Sequence, residues 1–277
     1  MTVAGKTPAR TVVIAGQGSL AAVVVAALRD GGAEPRVFAL EGFAPDGIAA
    51  EPFRLERLVP LLDRLVAEGV ERVVFAGAVR RPRLDPELFD QRTAALLPRI
   101  LNAMQSGDDG ALREVIAIFE DWGLIVVGVQ DLLPDLVPGA GVLAGDPTDV
   151  DRRDADRAAE ILAALGPLDL GQGAVVAGGL CVAVETLPGT DAMLDFVARH
   201  RAGAAGPGGA GGVFYKAPKP GQDRRIDLPT LGPATIEAAA RAGLSGIAWE
   251  AGGVIVLDRA AAVAAAQAAG LFLWARP

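Results

Sequence analysis

The sequence contains one histidine, His200, and one cysteine, Cys181. A binuclear metal centre built on several histidines is therefore excluded, and so is a zinc site of clustered cysteine and histidine ligands. A Ser-His-Asp triad would have to use His200, whose arginine neighbours indicate a solvent-exposed helix end. One cysteine excludes an intrachain disulfide and fits a reducing compartment. We interpret Cys181 as a small core residue of an apolar strand.

Several other signatures are missing from the chain. No G-x-x-x-x-G-K-[ST] loop is present, which excludes P-loop NTPases, and there is no glutamate-rich helix of the Nudix type. The formal net charge of −8 argues against a dedicated nucleic-acid-binding protein. No uninterrupted apolar run reaches the roughly 18–20 residues of a membrane-spanning helix, and charges at Lys6 and Arg10 argue against a signal peptide. We therefore expect a protein that is soluble or at most sits on a membrane surface.

Apolar strands alternate with helical segments along the chain, which predicts an α/β fold. With 277 residues, of which 51% are hydrophobic, the chain is long enough for two domains. We predict an N-terminal Rossmann-like domain with a parallel sheet over residues 1–133 and a C-terminal α/β catalytic domain with a mixed sheet over residues 151–277. Residues 134–150, rich in proline and glycine, are interpreted as a linker. We expect the substrate site in a cleft between the domains.

A glycine-rich turn follows the first predicted strand, residues 11–15, and precedes a helix. Gly16, Gly18 and Ser19 would let backbone N–H groups approach an anion at the helix N-terminus. The turn matches the dinucleotide-binding fingerprint with alanine at the last position, and Glu41 lies where a ribose-binding acid would be. The match is weak, because many strand–helix turns carry such glycines without a cofactor. It leaves open a rival interpretation, a non-catalytic or redox dinucleotide-binding protein.

Two further turns lie at predicted strand ends. Gly77 and Arg80 follow the strand predicted over residues 70–76, at the edge where open α/β sheets bind ligands. A solvated loop is the alternative there. In the second half, strands 173–178 and 180–185 predict a hairpin around two glycines.

Three other motifs each have a structural alternative to a functional role. Asp108 or Asp109 would cap the following helix, although the pair could bind a metal ion. Thr190 or Asp191 begins a helix, as a cap or as an N-terminus that faces an anion. The glycine-rich residues 203–212 would form a mobile lid or a disordered bulge.

The most concentrated chemistry lies in residues 216–232, KAPKPGQDRRIDLPTLG. This segment contains four cations, two carboxylates and one amide: Lys216, Lys219, Arg224, Arg225, Asp223, Asp227 and Gln222. Three prolines stiffen the backbone, so we predict a rigid loop that holds charges in fixed positions. The cations suit a phosphate or carboxylate ligand, and the carboxylates suit Mg²⁺, Mn²⁺ or an attacking water. A solvated surface turn is the alternative.

Seven stretches, in order along nearly the whole chain, carry a resemblance. They are IAGQGSL (14–20), FAGAVRRP (75–82), GDDGALR (107–113), LDLGQGAVV (168–176), GTDAML (189–194), KAPKPGQDRRIDLPTLG (216–232) and AGLSGIAWEAGG (242–253). With these stretches the chain resembles the LpxI family, the UDP-2,3-diacylglucosamine pyrophosphatases of lipid A biosynthesis. Two departures concern the first turn, where Gln17 and Ala21 stand in for a glycine and a proline.

The resemblance implies a two-domain α/β enzyme that holds its substrate between the domains. The implied reaction hydrolyses the pyrophosphate of UDP-2,3-diacylglucosamine to 2,3-diacylglucosamine 1-phosphate (lipid X) and UMP with a divalent cation. The essential aspartate of the family lies in the D-L-P-T part of the motif, here Asp227. Such a substrate implies a cytoplasmic enzyme that is either soluble or peripheral to the inner membrane, and a homodimer is an open expectation.

This resemblance and the residues together define a candidate site. We predict that Asp227 acts in catalysis, either as a base or, with Asp223, as a ligand of Mg²⁺ (or Mn²⁺). Lys216, Lys219 and Arg225 are predicted to stabilise charge that develops during hydrolysis. The residues predicted to contact the substrate are Gly16, Gly18, Ser19, Gly77, Arg80, Gln172, Thr190, Asp191, Gln222, Thr230 and Glu250. A plain lipid- or sugar-nucleotide-binding protein is a further alternative.

Overall fold

The structure, a computed structural model, describes residues 9–80, 82–105, 107–201 and 211–277. The chain forms two compact units. The first comprises the chain up to Leu133 together with Arg225–Asp227, and the second comprises Pro134–Arg224 and Leu228–Pro277. The boundary between Leu133 and Pro134 coincides with the end of the predicted N-terminal domain.

The first unit is built on a parallel sheet of five strands in the order β3-β2-β1-β4-β5. Its elements are β1 (Thr11–Ala15), α1 (Leu20–Asp30), β2 (Arg36–Leu40), β3 (Glu51–Phe53), α2 (Leu58–Ala67), β4 (Arg72–Ala76), α3 (Gln91–Ala94), α4 (Leu97–Gln105), α5 (Gly107–Asp121), β5 (Ile125–Val127) and α6 (Val129–Leu132). This strand order and the helical crossovers are those of a doubly wound nucleotide-binding fold, so the prediction of a Rossmann-like parallel sheet is confirmed.

The core of the first unit follows from its apolar runs. All five residues of β1 are buried, as expected for a central strand covered on both faces. Leu62 and Leu65 of α2 and Phe119 of α5 pack into the same cluster. The sequence analysis missed β3, because its three residues, one of them a proline, form no apolar run. Proline is tolerated there because β3 is an edge strand.

The second unit contains a mixed sheet of six strands in the order β6-β13-β11-β9-β7-β8. Its elements are β6 (Gly141–Ala144), α7 (Asp149–Leu165), β7 (Gly173–Ala177), β8 (Leu180–Val184), α8 (Gly189–Arg201), β9 (Val213–Lys216), β10 (Thr230–Leu231), α9 (Pro233–Arg241), β11 (Gly246–Glu250), β12 (Ile255–Val256), α10 (Arg259–Ala269) and β13 (Phe272–Arg276). Strands β9, β11 and β13 are parallel, whereas β7 runs antiparallel to β8 and β9. The predicted hairpin and mixed sheet are confirmed.

The two faces of this sheet carry separate cores, because side chains alternate along each strand. Phe214 of β9 and Trp249 of β11 pack on one face with residues of α8, α9 and α10. Tyr215 and Trp274 lie in the other cluster with Ala158 of α7. Lys216, two residues after Phe214, therefore shares the face of α8–α10.

Two sequence interpretations need correction. Residues 134–150 are not a linker outside the domains, because they belong to the second unit and supply β6, which pairs antiparallel with β13. Cys181 is exposed rather than buried, because β8 is the edge strand of its sheet. Apolar residues on an edge strand resemble core residues in sequence, since both favour β structure.

Other expectations fall partly outside the described structure. The side chains of Asp108 and Asp109 lie outside it, and so do residues 203–210 of the proposed lid. His200 is exposed and stacks on Phe196, as expected for a solvated helix end. Within the described ranges, no helix has the length and apolar character needed to cross a membrane.

The loops that follow β1 and β4 lie directly against each other. Gly16 N donates to Ala76 O at 2.8 Å, and Gln17 N donates to Ala78 O at 2.9 Å. A Cβ atom at Gly16 would lie 2.6 Å from Ala78 O, and one at Gly77 would lie 2.6 Å from Gly16 O. Only glycine allows these two backbones to approach so closely.

This contact predicts that Gly16→Ala destabilises the first unit. The added methyl group would meet backbone atoms that cannot rotate away, so we expect a loss of about 1–3 kcal/mol in the free energy of unfolding. The measurement is the urea midpoint. Gly31→Ala is the matched control, because Gly31 has φ −76° and its Cβ would lie no closer than 3.4 Å to other atoms. Equal midpoints for the two variants would contradict the close approach.

Candidate active site

Lys216 ends the central strand β9 and is almost completely buried, with 5% of its surface exposed. Its neighbour in β11 is Trp249, and the next residue of β11, Glu250, pairs with Arg276 of β13. Because β9, β11 and β13 are parallel, their carboxyl ends meet at one edge of the sheet. The fold of the second unit therefore places polar side chains at an edge where α/β sheets bind ligands.

The Lys216 ammonium contacts two polar side chains. It donates a hydrogen bond to Oγ1 of Thr190, in the first turn of α8, and lies 3.7 Å from Oε2 of Glu185. The side chains of Lys216 and Glu185 are only 7% and 13% exposed. A buried ammonium requires such partners, since burial of an uncompensated charge is costly. The structure thus brings together Lys216 and Thr190, two predicted residues, with Glu185, which the sequence analysis missed.

Two prolines of the loop after β9 pack against glycines of the second unit. A Cβ atom at Gly253 would lie 3.0 Å from Cδ of Pro218, and one at Gly166 would lie 2.4 Å from Cδ of Pro220. Both prolines therefore pack directly on glycine backbone. Such contacts fix the path of a loop that has no regular secondary structure of its own.

Gln222 stabilises the loop from inside. Its Oε1 accepts hydrogen bonds from Gln172 Nε2 at 3.0 Å and from the backbone N–H of Lys219 at 2.8 Å. Gln172 and Gln222 are therefore hydrogen-bonded to each other, and this bond holds the loop against the start of β7.

The remaining cations of the loop in the second unit are paired with carboxylates. Lys219 Nζ forms an ion pair with Asp169, whose φ of +56° is unusual for a residue other than glycine. Arg224 pairs with Glu250. Asp169 was not predicted, although it lies in the quoted stretch LDLGQGAVV. Glu185 directly follows β8, whereas Asp169 lies in the loop that precedes β7, so only Glu185 had a position at a strand end to indicate it.

Arg225 and Asp227 belong to the first unit. Arg225 Nη1 lies 2.7 Å from Oε1 of Glu120, and both side chains are partly exposed. Ile226, between them, packs on the apolar cluster of the first unit. Asp227 is half-buried. The structure thus assigns Asp227 and Arg225 to one unit, and Lys216, Lys219 and Asp223 to the other.

The arrangement of side chains that could bind a metal ion bears on the predicted Mg²⁺ site. Among the described residues, no group of three or more histidine, cysteine, aspartate or glutamate side chains is arranged to hold a metal ion. A complete protein cage for a cation is therefore absent from that part of the chain. Mg²⁺ does not require one, since it is commonly held by one or two carboxylates, waters and substrate phosphates.

The glycine-rich turn of the first unit offers fewer N–H groups than its sequence suggested. Those of Gly16 and Gln17 already donate to backbone carbonyls, as described above. Ser19 is the N-cap of α1 but makes no side-chain capping bond. Gly18 has φ +92°, and its carbonyl accepts from Asp46 N at 3.2 Å. Two of the backbone N–H groups that the fingerprint would offer to a pyrophosphate are therefore engaged by the loop after β4.

The other predicted contact residues lie on different elements. Arg80 is exposed at the end of the β4 loop, and Asp191 is exposed in the first turn of α8. Thr230 begins β10 and donates to Leu228 O at 3.4 Å. Glu41, the candidate ribose-binding acid, forms an ion pair with Arg54.

A pocket of about 340 Å³ lies in the first unit near this ion pair. Phe38, Phe53 and Leu61 form apolar walls, while Arg54 and Arg57 add positive charge. It contains none of the residues that the sequence analysis assigned to catalysis.

On the opposite face of the second sheet, Tyr215 lies beside Arg276, which pairs with Asp156 of α7 at 2.7 Å. Burial raises the pKa of the Tyr215 phenol above its ordinary value, and Arg276 partly offsets this effect. This cluster joins α7 to the sheet.

Comparison with known proteins agrees with this architecture. Residues 10–136 match the LpxI N-terminal domain, and residues 139–274 match the LpxI C-terminal domain. The chain is 39% identical over 265 residues to the UDP-2,3-diacylglucosamine pyrophosphatase LpxI of Caulobacter vibrioides, a match that covers 94% of this chain and 95% of that protein. The two domain matches and the near full-length similarity together establish that this chain belongs to the LpxI family.

Proposed function

We propose that this protein hydrolyses the pyrophosphate bond of UDP-2,3-diacylglucosamine to 2,3-diacylglucosamine 1-phosphate (lipid X) and UMP. The observation that carries the proposal is the similarity to the Caulobacter vibrioides pyrophosphatase over 94% of the chain. The polar edge of the second sheet supports it, because a buried lysine and a rigid loop of cations suit a diphosphate. Because the substrate carries two acyl chains, we further propose that the enzyme works at the inner leaflet.

In this proposal the cations stabilise negative charge that develops on the phosphate oxygens. Glu185 and Asp169 hold Lys216 and Lys219 through contacts within the protein itself. Their positions are therefore set in advance, and little reorganisation is needed when the charge develops. The α8 N-terminus, where Thr190 lies, adds the positive end of a helix dipole at the same edge.

Asp227 is the proposed centre of the chemistry, with either of two roles. As a half-buried carboxylate it would accept a proton from the attacking water, or it would be a ligand of a divalent cation. Asp223 is the second candidate ligand. These hard oxygen donors fit Mg²⁺ or Mn²⁺ that shares its coordination with substrate phosphates. When bound, such an ion neutralises phosphate charge and makes a coordinated water more acidic.

Asp227→Ala is expected to lower kcat by at least about 10³-fold, because it removes either the base or the ligand. Folding and substrate binding should persist, since the side chain is only half-buried. The measurement is UMP release, together with the thermal midpoint and substrate binding of the variant. Asp195→Ala, which removes an exposed carboxylate of α8, is the control. A near-normal rate for Asp227→Ala would remove this residue from the mechanism.

The same assay in ¹⁸O-labelled water identifies the phosphorus that the water attacks. Label in UMP indicates attack on the phosphorus next to uridine, and label in lipid X indicates attack on the phosphorus next to the sugar. Absence of both products from the wild-type protein would overturn the proposed activity.

Chelation of divalent cations with EDTA is expected to abolish turnover, and Mg²⁺ or Mn²⁺ should restore it. Asp223→Asn should raise the Mg²⁺ concentration that gives half-maximal rate, because it replaces a charged ligand with a neutral one. Asp195→Asn should leave that concentration unchanged. Full activity after exhaustive chelation would show that the reaction needs no metal.

A further inference from the structure

Four residues lie in one row across the second sheet. The backbone N–H of Glu185, just after β8, donates to Gly173 O at 2.7 Å. Gly173 is paired with Lys216 of β9, and Lys216 is paired with Trp249 of β11. Residues directly opposite one another on neighbouring strands point to the same face. The row therefore directs the side chains of Glu185 and Lys216 toward each other across a glycine.

Gly173 leaves the space that the Glu185 carboxylate fills. A Cβ atom at this position would lie 2.6 Å from Glu185 Oε2 and 2.8 Å from the ring of Phe214. Any other residue at 173 would displace the carboxylate from its position beside Lys216. The preceding loop fixes the backbone of Glu185 as well, since a Cβ atom at Gly171, which has φ +44°, would lie 2.0 Å from Glu185 O.

The contact between Glu185 and Lys216 is electrostatic rather than a hydrogen bond. Their 3.7 Å separation exceeds hydrogen-bond length, and Glu185 Oε2 has no hydrogen-bond partner among the described residues. The hydroxyl of Thr190 accepts the hydrogen bond from Lys216 instead. Thr190 thus orients the ammonium, while Glu185 supplies the negative charge that compensates its burial. Such low exposure makes the attraction much stronger than that of a surface ion pair.

We propose that Glu185 is a positioning residue of the active site: it holds the Lys216 ammonium in place at the carboxyl end of β9, through the gap left by Gly173. The proposal rests on the proposed function, in which Lys216 stabilises charge on the phosphates. Glu185 acts through Lys216 and makes no contact with substrate in this account. Lys219 has an analogous partner in Asp169, but that pair is more exposed.

A stability cycle tests the coupling without reference to activity. Lys216→Met removes the cation beside the buried Glu185 carboxylate, and Glu185→Gln removes the anion beside the buried Lys216 ammonium, so each should lower the thermal midpoint. The double variant removes both charges, so its thermal midpoint should be lowered by less than the sum of the two single effects. Strictly additive changes in the thermal midpoint would overturn the coupling between Glu185 and Lys216.

An activity cycle tests the positioning role. Glu185→Gln should lower kcat by about 10- to 100-fold with little change in KM, because a displaced Lys216 weakens transition-state stabilisation. Glu185→Asp should retain more activity than Glu185→Gln, since it keeps the charge. Glu237→Gln, an exposed change on α9, should have no effect. In the Lys216→Met background, Glu185→Gln should lower kcat little further, and an undiminished effect there would overturn the proposal.

The two cycles separate the possible failures. If wild-type protein releases no UMP but the stability cycle is non-additive, the proposed function fails and the coupling stands. If the wild type is active and Glu185→Gln keeps the full rate, Glu185 has no positioning role. Gly173→Ala offers an independent check, because it should displace the carboxylate and lower kcat while both charged residues remain.

Discussion

The burial of one ammonium group organises the polar edge of the second unit. Lys216 ends a central strand on the apolar face, where an uncompensated charge would be unstable. The compensation comes from elements that are distant in sequence: Thr190 at the start of α8 and Glu185 after the edge strand β8. The hairpin, the helix start and the central strand are thereby constrained together. Removal of any one partner affects the others, since they form one network.

The segment after Lys216 extends this constraint along the chain. Contacts of its prolines with Gly166 and Gly253, and the Gln172–Gln222 hydrogen bond, hold the loop against the second sheet. A few residues later Ile226 packs on the apolar cluster of the first unit. The loop is fixed by packing at several points and has little regular structure, which suits a segment that must hold functional groups in place.

Local sequence patterns predicted much of this architecture. Contacts between residues that are distant in the sequence could not be predicted from such patterns. Apolar runs predicted β1 and β4. The fingerprint turn could not reveal that Gly77 lies against Gly16, because the loop opposite comes from a distant strand. Glu185 was missed for the same reason, since its relation to Lys216 depends on strand order and register. Edge strands such as β6 pair only on one side and need no strong apolar pattern.

The pairing of cations with carboxylates also bears on selectivity. A chain with net charge −8 gives anions little long-range attraction, so binding must depend on short-range contacts. Lys216, Lys219 and Arg224 each have a carboxylate neighbour, so the edge is not an open basic patch. A generic polyanion would have to compete with these carboxylates and would gain little. A ligand that fits the fixed positions of the ammonium groups gains their full interaction without the cost of ordering them. In the proposed function, selectivity for a compact diphosphate would then follow from preorganisation rather than from excess positive charge.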